Sequence, residues 1–266
     1  MVMLLLQNKL KMTNEFFDSW IRLPPSLSDK TVEQQLSISE TLLTHLNAPT
    51  LWWYSAAKPA LILGAAQKPP ILDLAACERA GIEVVKRTSG GTLVLAEPDF
   101  LSLDIALPPN HPLILSDITE SYRWLGECWL ETLQRLGVEG ARLVTVAEVR
   151  AERHARDTWD EQQRHEHKLA GLVCFGTLSP YEVAVGNRKL VGLAQIRRRV
   201  GSLFQCGLPL HSQAIRFANL LALSPTDREL LTNLLSTRLT SLDQLLEGNI
   251  PKSAEIIATF EAVLTS

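Results

Sequence analysis

A β-hairpin is predicted by the stretch YEVAVGNRKLVGLAQ at residues 181–195. Both halves are rich in apolar residues, and the Gly-Asn dipeptide between them is a tight-turn signal in reversed order. We expect strands at Tyr181–Val185 and Arg188–Ala194, with Lys189 at the start of the second. Because later residues of that strand are small, Lys189 can lie over a pocket floor and offer its ammonium to a developing oxyanion. The same spacing also fits a solvated surface lysine.

Helical and strand patterns continue on both sides of this hairpin. The apolar spacing predicts a helix over residues 31–46 and a second helix that begins at Asp117 and ends at Gly137. A strand is predicted from Phe100 to Leu107, where apolar residues alternate with Ser102 and Asp104, so we expect only one face to be buried. Shorter elements are predicted at residues 51–54, 60–63, 72–79, 82–86 and 240–266.

Size and composition indicate an ordinary globular chain. It has 266 residues, 46% of them apolar and 21% charged, with a formal net charge of −3. This charge gives no electrostatic reason to expect nucleic acid or a membrane as a partner. The apolar stretch within residues 1–11 is too short for a signal sequence, so we expect a cytoplasmic protein. The four cysteines are widely spaced, which favours free thiols over disulfides or zinc ligands.

The predicted domain organisation has three parts. An N-terminal extension covers residues 1–30, a catalytic domain covers residues 31–245, and a helical appendage covers residues 246–266. Within the catalytic domain, residues 148–168 are dominated by charges of both signs, which is typical of a solvated insertion. This insertion contains His165-Glu166-His167, but no well-spaced third ligand in a buried context accompanies it, so we expect no metal site.

A glycine-rich loop between two predicted strands is the first candidate for chemistry. Arg87 and Ser89 supply hydrogen-bond donors, while Gly90 and Gly91 let the backbone approach a ligand closely. Alone, a Ser-Gly-Gly sequence also fits a simple turn.

A cysteine within a run of apolar residues and glycines is the second candidate. Cys174 has the composition of a small buried hydrophobe in this context. A nearby ammonium would change that interpretation, because thiolate reactivity depends on lowering the free thiol pKa. Lys189, fifteen residues further along the chain and across the hairpin, is the candidate neighbour.

Three motifs in a fixed order resemble the biotin/lipoate A/B protein ligase family. They are Leu63-Gly64-Ala65-Ala66-Gln67, Arg87-Thr88-Ser89-Gly90-Gly91 and the stretch from Asn187 to Gln195. The resemblance covers residues 31–245 and implies an α+β fold. In this fold mixed, largely antiparallel sheets are flanked by helices, as in class II aminoacyl-tRNA synthetases and biotin/lipoate ligases.

Within that family the chain is similar to the cysteine-dependent octanoyltransferases of lipoate biosynthesis, through Cys174-Phe175, Tyr181-Glu182 and Arg188-Lys189. This resemblance implies that an octanoyl group passes from a carrier-protein thioester to a lipoyl-domain lysine through a thioester on Cys174. Lys189 would hold the acyl carbonyl, without metal or other cofactor. The implied substrate-binding residues are Arg87, Ser89, Gly90, Gly91, Gly192, Ala194 and Gln195.

The chain departs from the family pattern after the glycine pair. Many members have a histidine there, where this chain has Leu95-Ala96-Glu97. Two alternatives stay open: an ATP-dependent lipoate–protein ligase, using ATP and Mg²⁺ with Cys174 as packing, and a non-catalytic acyl- or lipoyl-domain-binding homologue. The donor is an acyl carrier protein or an octanoylated lipoyl-domain protein. The Arg197-Arg198-Arg199 run fits either steering of acidic carriers or a solvated strand edge.

Overall fold

The computed structural model describes residues 14–44 and 46–266 and contains two β-sheets. The main sheet has eight strands in the order β1-β3-β7-β11-β10-β9-β8, with β2 also paired to β3, and the small sheet has the order β5-β4-β6. The strands are β1 Ile21–Arg22, β2 Ser26–Lys30, β3 Thr50–Ala56, β4 Ala60–Leu63, β5 Glu83–Lys86, β6 Val94–Ala96, β7 Phe100–Leu107, β8 Ala141–Leu143, β9 Val183–Val185, β10 Arg188–Arg198 and β11 Gly201–Pro209.

Ten α-helices and four short 3₁₀ turns are assigned in the described residues. The helices are α1 Asn14–Asp18, α2 Val32–Thr44, α3 Leu74–Arg79, α4 Arg123–Arg135, α5 Val146–Ala155, α6 Glu161–Ala170, α7 Ala214–Asn219, α8 Pro225–Arg238, α9 Leu242–Leu245 and α10 Ser253–Leu264. The 3₁₀ turns are Pro69–Ile71, Glu120–Tyr122, Arg156–Thr158 and Cys174–Gly176. None of these helices is long and apolar enough to cross a membrane.

The pairing of the strands confirms the predicted fold class. Strand β7 runs antiparallel to both β3 and β11, and β11-β10-β9-β8 continues antiparallel to the sheet edge. Only the short β1 and β2 pair in parallel with β3, and β4 pairs in parallel with β5. The two sheets are therefore mixed and largely antiparallel, with helices packed against them.

The central strand β7 corrects one expectation. Its bounds are those predicted, but all eight of its residues are buried, including Ser102 and Asp104. Helices α4 and α10 contribute to the apolar core that contains Leu103 and Ile105, whereas α2 contacts the strand as well. Because elements cover both faces of β7, its alternating pattern does not mark a solvent-facing side, and the prediction of half-burial was wrong.

The start of helix α4 is the second correction. Asp117 Oδ1 accepts hydrogen bonds from the backbone N–H groups of Thr119 and Glu120, at 2.7 and 3.1 Å. These bonds lie at the start of the 3₁₀ turn Glu120–Tyr122, and the α-helix begins only at Arg123. Ile118, which the apolar spacing of the predicted helix places on its buried face, is 56% exposed. Asp117 therefore organises a turn ahead of the helix, and the predicted helix start at Asp117 was wrong.

The remaining predicted parts adopt definite positions. Residues 148–168 form mostly exposed helical segments, as the charge pattern predicts. Strands β1 and β2 of the predicted N-terminal extension join the main sheet, and α10 packs Ile256 and Phe260 into the main core. The domain boundaries stay predictions, and residues 1–11, for which no signal sequence is predicted, lie outside the described part of the chain.

Candidate active site

The hairpin of β9 and β10 brings Lys189 to Cys174. Lys189 Nζ donates to the backbone carbonyl of Cys174 at 2.7 Å and lies 2.7 Å from Glu182 Oε2. Between Lys189 and Val191 the pairing register of β10 shifts, which is a β-bulge. Bulges near active sites re-aim side chains. This one follows directly after the lysine that reaches across to the cysteine.

Glu182 is the buried counter-charge of this lysine. The side chains of Glu182 and Lys189 are only 2% and 1% exposed. The carboxylate also accepts from the backbone N–H groups of Ser179 and Leu193, at 2.7 and 3.3 Å. Burial raises the pKa of Glu182, while the Lys189 ammonium opposes that rise. Because a buried ion pair needs such additional bonds to offset its desolvation, these contacts indicate an ionised pair held in one geometry.

The backbone of Cys174 is held by Leu93, the residue directly before β6. Its backbone N–H donates to Leu93 O at 2.8 Å, and Leu93 N–H donates to Leu172 O at 3.1 Å. The residue begins the 3₁₀ turn Cys174–Gly176 and is partly exposed, whereas Cys77, Cys128 and Cys206 are buried. All four cysteines are free. Cys174 is thus the accessible thiol of the four, and its backbone is bonded both to Leu93 and to the Lys189 side chain.

The glycine-rich loop places an arginine beside this thiol. Arg87 Nη2 donates to Thr92 O at 3.0 Å, and its Nε has no hydrogen-bond partner in the described part of the chain. Gly91 has a φ of +92°, and a Cβ built there would lie 2.7 Å from Arg87 Nη2 and 3.8 Å from Cys174 Sγ. Only glycine leaves room for the arginine and the thiol to face each other across this point.

An apolar pocket opens on one side of Cys174. It is lined chiefly by apolar side chains from α2, the small sheet and the 3₁₀ turn, with Tyr54 and Gln205 at its polar patches. The lining includes Val32, Leu36, Ile62, Ala96, Phe175 and Gly192. A Cβ on Gly192 would lie 3.2 Å from the Phe175 ring, so glycine keeps the pocket open beside the thiol. Such a pocket suits an alkyl chain.

A more polar vestibule opens on the other side of Cys174. Its wall includes Lys189, Glu182, Thr119, Tyr122 and Gln195. Arg87, Cys174, Leu193 and Ala194 line both spaces. Cys174 therefore lies where an apolar pocket meets a polar entrance, and both Lys189 and Arg87 line that entrance.

Most of the residues predicted to bind substrate line these two spaces. Arg87, Gly90, Gly91, Gly192, Ala194 and Gln195 lie in one or both of them. Ser89 lies elsewhere: it is 1% exposed, lines a small separate cavity, and its carbonyl accepts from Ala65 N–H at 3.1 Å. Ala96, at the place of the missing histidine, lines the apolar pocket and not the vestibule.

Sequence reasoning missed the part played by Glu182 and the walls supplied from far along the chain. The Tyr181-Glu182 motif assigns no role to the carboxylate by itself, although an acidic residue within an apolar strand signals a buried partner. Val32 and Leu36 of α2 and Cys206 of β11 line the apolar pocket. Their periodicity predicts burial but does not say which residue they face.

Comparisons with known proteins agree with this architecture. Residues 31–264 match the family described as lipoyl protein ligase A/B catalytic domain. The chain is 30% identical to an octanoyltransferase LipM of an Exiguobacterium species over 80% of this chain and 72% of that protein. It is 34% identical to octanoyltransferase LipM of Carboxydothermus hydrogenoformans, over 62% of this chain and 56% of that protein. These matches confirm the family that the three motifs predict and the octanoyltransferase branch within it.

Solved structures share the fold. A bi-partite lipoate protein ligase from Thermoplasma acidophilum superposes with a TM-score of 0.67 at 17% identity, covering 92% of this chain and 83% of that one. A lipoate-protein ligase A bound with ATP gives a TM-score of 0.64, also at 17% identity and with the same two coverages. At this identity the likeness concerns the fold alone.

Proposed function

This chain belongs to the lipoyl protein ligase A/B catalytic-domain family and is an acyltransferase within it, and we propose that it moves an octanoyl group to a lipoyl-domain lysine through a thioester on Cys174. The observation that carries the proposal is the position of Cys174. The accessible thiol lies at the junction of an apolar pocket and a polar vestibule. The Lys189 ammonium donates a hydrogen bond to the backbone carbonyl of Cys174. An alkyl chain fits the first space, and its thioester carbonyl then lies at the thiol.

In the first half-reaction the Cys174 thiolate attacks the carbonyl of an octanoyl thioester carried by a donor protein. The bond between Cys174 Sγ and the acyl carbon forms, the donor C–S bond breaks, and the donor thiol leaves with a proton. Lys189 has three N–H groups, of which two face Glu182 and the Cys174 carbonyl, so one remains for the developing oxyanion. Arg87, which also lines the vestibule, has an Nε–H that is unpaired within the described residues and is a second candidate donor.

In the second half-reaction the amine of the acceptor lysine attacks the acyl carbon. A C–N bond forms, the Cys174 C–S bond breaks, and the thiolate is regenerated while the amine loses a proton. Both half-reactions start from a thioester, so neither needs a nucleotide. The donor we propose is an acyl carrier protein, and the acceptor is a lipoyl-domain protein.

The test supplies octanoyl-carrier protein without ATP, or octanoate with ATP and Mg²⁺, each with an apo lipoyl domain. We expect octanoyl-lysine from the thioester only, and none from Cys174→Ala. Modification of the lipoyl domain that requires ATP and persists in Cys174→Ala would contradict the proposal and support the ligase alternative. Binding of the octanoyl-carrier without turnover would support a non-catalytic homologue.

A further inference from the structure

One carboxamide in the vestibule wall has both of its polar atoms buried and unpaired. In the described residues, Gln195 Nε2 and Oε1 have no hydrogen-bond partner. Gln195 lies on β10, on the same strand as Lys189, and lines the vestibule together with Cys174 and Lys189. A buried polar group without a partner destabilises the folded protein, because it has lost its bonds to water. Such a side chain, beside the nucleophile and inside the substrate entrance, points to a ligand that supplies the missing bonds.

The chemistry of the carboxamide restricts that ligand. It offers an N–H donor and a carbonyl acceptor on one planar group. A phosphate or carboxylate would satisfy only the donor, and an ammonium only the acceptor. A secondary amide satisfies both.

The position of Gln195 indicates which part of the substrate carries this amide. The acyl chain occupies the apolar pocket, so the group on the other side of the reacting carbonyl projects into the vestibule. In the first half-reaction that group is the thiol arm of the donor. The acceptor lysine enters the same space, but a stem of four carbons separates its amine from its nearest amide.

We infer that Gln195 binds a secondary amide in the thiol arm of the donor thioester, and this inference rests on the proposed function. The enzyme then selects its donor partly by the thiol arm that departs in the first half-reaction, independently of any contact with the surface of the carrier protein. Recognition by two paired hydrogen bonds should discriminate against an apolar arm of the same shape by about tenfold or more.

Two small thioesters test this with the full-length protein. S-octanoyl-N-acetylcysteamine carries the amide, and S-(4-methylpentyl) thiooctanoate replaces it with hydrocarbon of matched shape. The rate of Cys174 acylation by each thioester is followed by intact mass. This rate is divided by the rate at which the same thioester acylates free N-acetylcysteine, which removes the intrinsic reactivity of the thioester. We expect a preference of about tenfold or more for the amide in the wild type. Gln195→Leu and Gln195→Met should reduce it below about twofold by slowing the amide thioester alone.

The outcomes separate this inference from the proposed function. Equal normalised rates in the wild type would overturn it whether or not the variants fold. So would a preference retained in a folded Gln195→Leu, or an equal slowing of both thioesters in that variant. Octanoylation of Cys174 by neither thioester would overturn the proposed function together with this inference, whereas octanoylation by both at equal rates would leave the proposed function standing.

Discussion

At the residue scale, the site depends on a charge that is almost fully removed from water. Lys189 is 1% exposed, yet it reaches the Cys174 carbonyl and lines the vestibule. Glu182 makes this possible, because it compensates the ammonium and is itself held by two backbone N–H groups. Glu182 is therefore a positioning residue, acting on the reaction through Lys189.

Glu182→Gln tests this at nearly constant volume. Removing one partner of a buried pair leaves an uncompensated charge, so we expect a loss of about 3 kcal/mol in unfolding free energy. Octanoyl transfer should fall about a hundredfold, the equivalent of nearly 3 kcal/mol in barrier. The pH profile of transfer should also change, because a neutral amide replaces a buried carboxylate.

The control is Glu127→Gln, outside the site. Burial raises the pKa of Glu127 to about 6, so this carboxyl is also partly withdrawn from water. Transfer by this variant should stay within about twofold of wild type. A Glu182→Gln enzyme with the wild-type rate and pH profile would contradict the positioning role.

At the element scale, local patterns predicted most strands and helices, because periodicity reports which residues are buried. Strand β4 and strand β7 have the predicted bounds. Periodicity did not report that both faces of β7 are covered, since that depends on elements distant in sequence. The same limit applies to the site. The loop at 87–91 and the hairpin were found as motifs, whereas the apolar pocket walls from α2 and β11 are set by tertiary packing.

Gly91→Ala tests the glycine-rich loop. The substitution adds a Cβ at 2.7 Å from Arg87 Nη2 and forces alanine to a φ of +92°. We expect a loss of about 1–3 kcal/mol in stability, and at least about a tenfold slower acylation of Cys174 because Arg87 is displaced. Thermal melting and intact mass measure the two effects. Gly90→Ala, with open space around its Cβ, is the control for melting. An unchanged acylation rate in Gly91→Ala would show that the Arg87 position is irrelevant.

Strand β7 carries a pH-dependent penalty at Asp104. Burial raises the pKa of this carboxyl to about 6, although Tyr54 and Gln205 donate hydrogen bonds to it. Since the folded-state pKa lies above the ordinary value of 3.8, ionisation destabilises the fold. The penalty is complete above about pH 6 and disappears as the pH falls below about 4.

Asp104→Asn removes that ionisation while keeping a carbonyl oxygen. Relative to wild type, its unfolding free energy should rise between pH 4 and pH 7 by about 2–3 kcal/mol. Denaturant unfolding at several pH values measures this difference. A difference that stays constant across the range would contradict the assignment of the titration to Asp104.

At the scale of the whole molecule, the chain is slightly acidic but carries a basic turn between β10 and β11. Arg198 and Arg199 are exposed where β10 passes into β11, while Arg197 donates to Ser121 Oγ. The sequence alone left a solvated strand edge and a docking site for acidic carriers as equal alternatives. Arg197 and Arg198 lie on β10, the strand that also bears Lys189 and Gln195, and Arg199 follows directly after it.

A double charge reversal, Arg198→Glu with Arg199→Glu, tests docking of an acidic donor. We expect KM for octanoyl-carrier protein to rise about tenfold at low ionic strength and the difference to shrink as salt is added. Acylation by S-octanoyl-N-acetylcysteamine should be unchanged, because that donor has no protein surface. Lys58→Glu with Arg79→Glu, two exposed positions elsewhere, is the charge-matched control. Equal KM values for both double variants would assign the arginines to a solvated edge.

The central claim, a thioester on Cys174 as the intermediate, is tested most directly by intact mass in a single turnover. Enzyme mixed with octanoyl-carrier protein should gain one octanoyl group, mapped to Cys174 by peptide analysis. Addition of apo lipoyl domain should then discharge this adduct at the rate at which octanoyl-lysine appears. Cys174→Ala should give neither adduct nor product. Product formed by Cys174→Ala, or an adduct that the lipoyl domain does not discharge, would contradict the thioester route.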